Sequence, residues 1–470
     1  MIARRLPAAA VVAAAIASVT AMPVDVPVTL SATSLVMSGT GNSLSIPENT
    51  PEYIRSAVMG TDRQFVGPSG LCVGGDPGCT LVAVYTPEQL RPVTGWNDMT
   101  LDESVAVGQA NLDRCIRRVA CTVTMPPYTV TGQQQLTDTS DVVFGLSQSA
   151  LIATYEKADL IAHPPDKTVS FILVANPARP NGGIAERFVG LHIPFVGITF
   201  NGATQTNSPQ PTPLLTEDVA RQYDGWADFP TNPVNLLALV NALAGTVFFH
   251  PYYSGIDAPQ LLQGMYQDTT YYLEPAPIVP LLVPLSRIPV VGMPLALMLD
   301  PPLRVLVEAG YNRTINPGQP TPVQWHYATN VITAAVNLVR AVPTGWDDAI
   351  AAATDDPANR PFHTEPQGVY GVGGPPVYAG AIDPYGPLPV QPVAAQADPA
   401  PAAALSQEKA PELASMAEHP APRLPRPDRA THRRAAAPPR PHPAAADDAR
   451  DYSPRSSKIA TARVHPADAA

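Results

Sequence analysis

Apolar runs and helical segments alternate along the first two thirds of the chain. Continuous apolar stretches typical of buried strands occur at 79–87, 141–147 and 169–176. Helical segments occupy 100–119 and 148–162 between and after them. Strands that are apolar throughout and alternate with helices indicate a parallel sheet covered on both faces. The pattern therefore predicts an α/β domain with a mostly parallel central sheet.

Further local signals extend this domain in both directions. A β-rich run at 30–47 contains a Gly-Thr-Gly-Asn turn. Thr100 and Glu103 have the spacing of a capping box, which places a helix start at 100. A helix at 232–245 leads into the sequence TVFFHPYY. We therefore predict one hydrolase-sized domain over residues 30–335.

The segment 278–311 is very apolar, but prolines interrupt it repeatedly. It therefore predicts short helical pieces rather than a single membrane helix. Two interpretations are open at this point. Residues 270–312 form a cap or lid over an apolar cleft, or the same side chains pack in the core.

The two ends of the chain differ in character from this domain. Residues 1–22 combine Arg4 and Arg5 with a short apolar stretch and small residues, which predicts an export signal or an uncleaved N-terminal anchor. Residues 355–470 are rich in proline and alanine and show no apolar periodicity, which predicts a disordered tail. Either form of the N-terminal segment places the protein outside the cytoplasm, in the cell envelope or the extracellular space.

Composition narrows the classes of partner and compartment. The 470 residues are 45% hydrophobic, enough for a packed globule, and carry a net charge of -11, which argues against nucleic acid as a partner. The four cysteines suit an exported protein, and we expect disulfides within each close couple. A metal site is the alternative, but neither couple has a nearby histidine. The couples are Cys72 with Cys79 and Cys115 with Cys121.

A serine stands where the apolar strand at 141–147 gives way to a helix. The pentapeptide Gly-Leu-Ser-Gln-Ser, from Gly145 to Ser149, matches the G-x-S-x-G nucleophile elbow except at its last position. Such a turn lifts the hydroxyl of Ser147 clear of the sheet. It also directs the next backbone N–H toward the charge that develops during attack. An ordinary strand-to-helix junction is the alternative.

An elbow serine needs a carboxylate and then a histidine later in the chain. His250 follows an apolar run and precedes a proline, as expected of a base at the end of an element. Asp224 and Asp228 lie upstream in a turn bounded by glycine and proline, and either could orient the imidazole. Three other histidines lie elsewhere in this domain: His163, His192 and His326.

A second oxyanion donor should come from a loop after an early strand. The sequence Ser-Gly-Thr-Gly-Asn at 38–42 suits this role, because glycines allow backbone N–H groups to approach a ligand closely. A phosphate-binding loop is the competing interpretation, but no lysine follows and the wider P-loop pattern is absent.

The motifs together resemble the PE-PPE domain, a mycobacterial family of serine α/β-hydrolases similar to cutinases. The resemblance covers about 35–330 and rests on GTGN, TLDESVAVGQANLD, VVFGLSQSA, NPARPNGG, GITFNGATQT, YDGWADFP and NLLALVNALAG followed by a histidine. Cutinases carry a similar GYSQGA elbow, from which the present sequence departs at Leu146 and Ser149.

The resemblance implies roles for individual residues. Ser147 would be the nucleophile and His250 the general base. Asp228 would orient the histidine by similarity to the Gly-Asp segment of cutinases, with Asp224 in reserve. The oxyanion hole would be lined by Thr40 and Gln148.

The function implied is that of an exported serine esterase, lipase or acyltransferase acting on lipid or fatty-acyl esters. Hydrolysis uses water and transfer uses a glycolipid acceptor such as a trehalose lipid, and nothing in the sequence separates them. Neither a cofactor nor a metal is expected, and peripheral association with membrane or cell wall is compatible with the chain. The alternative is a non-catalytic envelope module that binds lipid or a partner on the same fold.

Overall fold

The computed structural model describes residues 32–72, 78–253, 260–326 and 330–374. The predicted N-terminal segment 1–22 lies outside these ranges. The strands, in chain order, are β1 (Ala32–Val36), β2 (Thr80–Val84), β3 (Cys121–Thr124), β4 (Thr131–Gln134), β5 (Ser140–Leu146), β6 (Thr168–Val174), β7 (His192–Ile193), β8 (Ile198–Thr199), β9 (Thr216–Arg221), β10 (Leu261–Tyr266) and β11 (Thr269–Glu274).

Nine of these strands form one twisted layer in the order β10-β11-β9-β6-β5-β1-β2-β3-β4, and β7 pairs with β8 separately. The neighbours from β11 to β2 are parallel. The outer strands β10, β3 and β4 pair antiparallel. The predicted α/β architecture with a mostly parallel central sheet is therefore confirmed. Because the carboxyl ends of the parallel strands share one edge, the loops after them meet there.

Helices connect these strands and cover the sheet. They are α1 (Pro51–Thr61), α2 (Gly67–Ser69), α3 (Leu101–Ile116), α4 (Gln148–Ala162), α5 (Ile184–Arg187), α6 (Leu236–Phe248), α7 (Val283–Ser286), α8 (Gly292–Glu308) and α9 (Val331–Thr354). The capping box at the start of α3 forms as predicted, with the Thr100 and Glu103 side chains each bonded to the other's backbone N–H. A side-chain cap of this kind typically stabilises a helix by about 1 kcal/mol.

Side chains of the central strands alternate between two apolar layers. Val143 on β5 packs in the cluster that contains buried residues of α3 and α4. Val142 and Phe144, its neighbours on the same strand, pack with residues of α1. Each such buried side chain contributes about 1.5–3 kcal/mol. Burial on both faces explains why β5 is apolar along most of its length and why it holds the turn that follows it rigidly.

The cysteines pair as expected. The structure joins Cys72 to Cys79 and Cys115 to Cys121. The second bridge links the end of α3 to the start of β3, within the apolar layer that contains α3. The prediction of local pairing is confirmed.

The apolar segment after 270 needs a correction. Residues 269–274 form β11 within the main sheet, so the predicted insertion at 270–312 begins too early. The remainder forms short helical pieces as expected, although α8 continues through Pro301 and Pro302. Its inner side chains pack with α6 and with Tyr223 in a third apolar cluster. Within the described ranges, no helix combines the length and apolar character needed to cross a bilayer.

The boundary of the predicted tail also needs a correction. Helix α9 runs to Thr354, and the chain after it returns to the domain. The backbone N–H groups of Phe362 and Thr364 donate to the Asp347 carboxylate at 2.8 and 2.9 Å. Val369 and Tyr370 are buried beside β9 and β11. Residues 355–374 therefore belong to the folded part, because these contacts offset the ordering entropy. Residues 375–470 of the predicted tail lie outside the described residues.

Candidate active site

Ser147 occupies a strained turn between β5 and α4. Its backbone has φ 58° and ψ -112°, a conformation that residues other than glycine rarely adopt. Its N–H donates to the carbonyl of Val174 on the neighbouring strand at 2.9 Å, which fixes the turn against the sheet. The side chain is half-buried and lies at the carboxyl edge of the parallel strands. This is the geometry that a nucleophile elbow requires.

The residues flanking the elbow explain why it tolerates a serine at its last position. A Cβ on Gly145 would lie 2.5 Å from the carbonyl oxygen of Ser149, so only glycine fits where strand and helix approach. The Ser149 hydroxyl accepts from the N–H of Leu146 at 2.8 Å and donates to the carbonyl of Leu146 at 3.1 Å. It therefore ties the turn together with two hydrogen bonds that a glycine there could not form.

The structure brings a serine, a histidine and an aspartate into one hydrogen-bonded chain. The Ser147 Oγ lies 2.7 Å from Nε2 of His250. Nδ1 of the same ring lies 2.8 and 2.9 Å from the two carboxylate oxygens of Asp224. The three side chains come from the turns after β5, α6 and β9. This arrangement can withdraw a proton from the serine and stabilise the imidazolium that results.

The Asp224 carboxylate is buried and held from several directions. Tyr253 donates its hydroxyl to Oδ2 of Asp224 at 2.7 Å, and the Trp226 N–H donates to Oδ1 at 2.9 Å. The Tyr253 hydroxyl also accepts from the N–H of Arg221 at 2.5 Å. Burial, followed by the nearby Asp224 charge, raises the pKa of Tyr253 well above its ordinary value, so the phenol stays a donor. These bonds fix the carboxylate that faces His250.

Asp228 does not reach the histidine, and the expectation that it orients His250 is corrected. Its carboxylate accepts from both terminal nitrogens of Arg313, at 2.6 and 3.0 Å, and from the N–H of Tyr223 at 2.8 Å. Both ring nitrogens of His250 are already paired with Ser147 and Asp224. Asp228 therefore anchors the turn to Arg313, and the reserve residue Asp224 is the one that faces the imidazole.

The oxyanion candidates lie beside the elbow. The Thr40 hydroxyl donates to Oε1 of Gln148 at 2.8 Å, which joins the 38–42 loop to the start of α4. Gln148 also donates from Nε2 to the Ser104 hydroxyl at 2.7 Å. Gln148 is the first residue of α4, so its backbone N–H has no partner within the helix. That N–H and the main chain of Thr40 are the candidate donors for an oxyanion, and this role remains a prediction.

The loop at 38–42 is supported from below by a buried glutamate. The N–H of Gly41 donates to the backbone carbonyl of Glu88 at 2.7 Å. Burial raises the pKa of Glu88 to about 8, while a hydrogen bond from the Thr86 hydroxyl lowers it. Glu88 itself has φ 53°. A strained backbone and a carboxyl that is mostly neutral at pH 7 therefore lie under the oxyanion candidates.

The sequence analysis missed two residues of the site. Tyr253 lies three positions after His250 in one 3-10 turn, a spacing that returns it to the same side. The aromatic run Phe-Phe-His-Pro-Tyr-Tyr carried this signal. The ring of Trp226 lies 6.1 Å from that of His250 between centroids. No pattern in the sequence identifies Trp226, because its position depends on how the turn after β9 folds.

A cluster of carboxylates lies apart from the triad on α3 and α4. Oxygens of Asp113, Glu156 and Asp159 lie within 4.8 Å of one another. Arg117 forms ion pairs with Asp113 and, at 2.7 Å, with Asp159. The guanidinium already neutralises two of the three carboxylates, so we assign no ion to this cluster.

Comparison with known proteins identifies the family. The PE-PPE domain matches residues 77–312, which is half of the 470-residue chain. The chain belongs to the PE-PPE family. This confirms the resemblance found in the sequence and agrees with the α/β-hydrolase-like sheet.

Three relatives from Mycobacterium tuberculosis show the range of names within reach of this PE-PPE chain. It is 39% identical to the PPE family protein PPE42 over 68% of the chain and 51% of that protein. It is 37% identical to "Esterase PE16" over 62% of the chain and 50% of that protein. It is 29% identical to "Diacyltrehalose acyltransferase Chp2" over 48% of the chain and 61% of that protein. The chain thus spans between half and two thirds of these relatives.

Proposed function

We propose that this PE-PPE protein is an exported serine esterase, lipase or acyltransferase that acts on lipid or fatty-acyl esters. Ser147 is the nucleophile, His250 the general base and Asp224 the carboxylate that orients the base. The observation that carries the proposal is the hydrogen-bonded chain from the Ser147 hydroxyl to Nε2 of His250 and from Nδ1 to Asp224.

The proposed reaction proceeds through an acyl-enzyme. His250 takes the proton of Ser147 as Oγ attacks the ester carbonyl, and the oxyanion is held by N–H groups near Thr40 and Gln148. The tetrahedral intermediate collapses, the alcohol leaves with the proton from His250, and the acyl group stays on Ser147. Water or the hydroxyl of an acceptor then attacks this ester with His250 again as base.

The names of relatives support both outcomes of that second step. One relative is named an esterase and another a diacyltrehalose acyltransferase. A lipid or acyl ester is therefore the proposed substrate, and a glycolipid the proposed acceptor for transfer. Incubating the full chain with a long-chain ester, with and without a trehalose glycolipid, separates the two activities. Free acid alone in both reactions would exclude transfer.

Covalent labelling tests the nucleophile. A fluorophosphonate probe should label the wild-type protein, and Ser147→Ala should lose the label and about 10⁴-fold or more in turnover, because no other group replaces the nucleophile. The thermal unfolding midpoint should change little. Ser149→Ala is the matched control: it lies two positions away, is fully buried, and should keep the label. An unlabelled wild type would favour the non-catalytic binding module.

Export remains part of this proposal. It rests on the basic and apolar pattern of residues 1–22 and on the four cysteines, both of which suit a compartment outside the cytoplasm. Fractionation of expressing cells should recover the protein in the envelope or the medium, and recovery only in the cytosol would contradict export.

A further inference from the structure

A row of exposed apolar side chains runs along α6 toward the histidine. Its members are spaced so that they lie on one side of the helix, at positions i, i+4, i+7 and i+11. They are 49% to 70% exposed, and His250 follows three residues after the last of them. The row consists of Leu236, Val240, Leu243 and Val247.

The turn between α7 and α8 extends this apolar surface. The guanidinium of Arg287 lies 5.3 Å from the ring centroid of Phe248, so the turn is adjacent to the carboxyl end of α6. Three large apolar side chains of the turn are exposed by about half or more: Ile288, Val290 and Val291. We call these three residues, Arg287 and the row on α6 the docking face.

Val290 is the most informative residue of the docking face. Its φ is 69°, a left-handed conformation that glycine adopts freely and that strains a β-branched side chain. Its side chain is 92% exposed and therefore adds almost no packing to the domain. A strained valine without internal contacts destabilises the folded chain relative to glycine. It is understandable if an apolar medium covers its side chain.

The charge pattern of the docking face favours a lipid surface over a protein partner. Residues 231–253 and 275–299 contain a single Lys, Arg, Asp or Glu among them, namely Arg287. The surface is therefore apolar with one cation and without a carboxylate of its own. Anionic headgroups attract a cation placed at the edge of an inserted apolar surface, whereas protein interfaces normally have a mixed polar rim.

We propose that the docking face binds the surface of a lipid membrane or aggregate and brings the site beside His250 to its substrate. The proposal rests on the proposed function for the identity of the lipid as substrate. Exposed leucine and valine side chains insert between lipid chains, and Arg287 contacts anionic headgroups. Because α6 ends three residues before His250, insertion of its apolar row holds the triad close to the lipid surface.

Vesicle co-sedimentation with the full chain tests the proposal. The probes are vesicles of phosphatidylcholine alone and of phosphatidylcholine mixed with phosphatidylglycerol. Leu243→Ser combined with Val247→Ser should weaken binding by about tenfold or more, since two apolar side chains no longer leave water. Arg287→Gln should weaken binding to the mixed vesicles more than to the neutral ones.

Val290→Gly separates binding from folding. The unfolding midpoint should stay the same or rise, because glycine relieves the strain at φ 69°. Vesicle binding should nevertheless fall by a few fold. A structural role for Val290 would give the opposite result, with a lower midpoint and unchanged binding.

Val130→Ser is the matched control. Val130 is 72% exposed and lies in the β3–β4 connection, at the amino edge of the sheet opposite the site, so its replacement should leave vesicle binding unchanged. Equal losses in Val130→Ser and the α6 double variant would overturn the proposal, as would a wild type that ignores both vesicles. Ser147→Ala should still bind vesicles while losing turnover of a soluble short-chain ester, so the two proposals fail separately.

Discussion

Two carboxylates in the turn after β9 have opposite partners although they lie four residues apart. Asp224 meets an imidazole, a phenol hydroxyl and a backbone N–H, and its histidine contacts the serine. Asp228 meets the guanidinium of Arg313, which is also paired with Glu308. The first set of contacts can serve proton transfer, and the second fixes the turn to the segment after α8. The chemistry of a carboxylate here is thus decided by its partners rather than by its position in a motif.

Replacing Asp224 should have the largest effect on activity. In Asp224→Asn the amide cannot stabilise the imidazolium and favours the wrong tautomer of His250, so kcat should fall by about 10³–10⁴-fold. The unfolding midpoint should fall far less than in an Asp228 variant. Steady-state kinetics on a soluble ester measure the first effect and calorimetry the second. Near-normal kcat in this variant would remove Asp224 from the triad.

Replacing Asp228 should mainly reduce stability. Asp228→Asn leaves the buried Arg313 without one of its two carboxylates, and breaking such a pair costs about 3–5 kcal/mol. Activity at a temperature where the variant is folded should fall by less than about tenfold. Denaturant unfolding together with kcat measures both properties. A stable but inactive variant would restore Asp228 as the orienting carboxylate.

Tyr253 sharpens the comparison, because it holds Asp224 without contacting the serine. Tyr253→Phe removes the hydroxyl bond to Asp224 and leaves the Arg221 N–H without that acceptor. We expect kcat to fall by about tenfold, with KM nearly unchanged and the lower limb of the pH–rate profile shifted. A change in stability without any change in the pH profile would show that Tyr253 is only structural.

Glu88 provides a third buried carboxyl, with little to favour its charge. Its folded-state pKa of about 8 lies above the ordinary value of 4.5. The folded protein therefore holds this proton more tightly than the unfolded chain. The resulting stability is complete below about pH 4.5 and is lost as the pH rises through about 8.

Glu88→Gln tests that sign. The variant should lose this pH dependence, and relative to wild type it should gain at least about 1 kcal/mol between pH 6 and pH 9. Unfolding in denaturant at both pH values measures it. An unchanged slope in the variant would show that Glu88 is not the titrating group.

The choice between Asp224 and Asp228 shows where prediction from sequence reaches its limit. Both lie in the same turn, with the same residue type and similar flanks. Their partners, Tyr253 and Arg313, are 29 and 85 positions away from Asp224 and Asp228 respectively. No local pattern encodes such a distance. Similarity to cutinases favoured Asp228, and the fold around Arg313 overrides it.

Local chemistry sufficed for the strand order of apolar runs, the capped helix at Thr100, the disulfide couples and the elbow at Ser147. Each depends on neighbours in the chain: alternating burial, a cap three residues away, a short loop between cysteines, or glycine where strand and helix touch. Tertiary structure alone decided which carboxylate faces His250, where the folded part ends, and that the row on α6 stays uncovered. Those outcomes depend on contacts between distant segments, whose free energies a linear pattern does not contain.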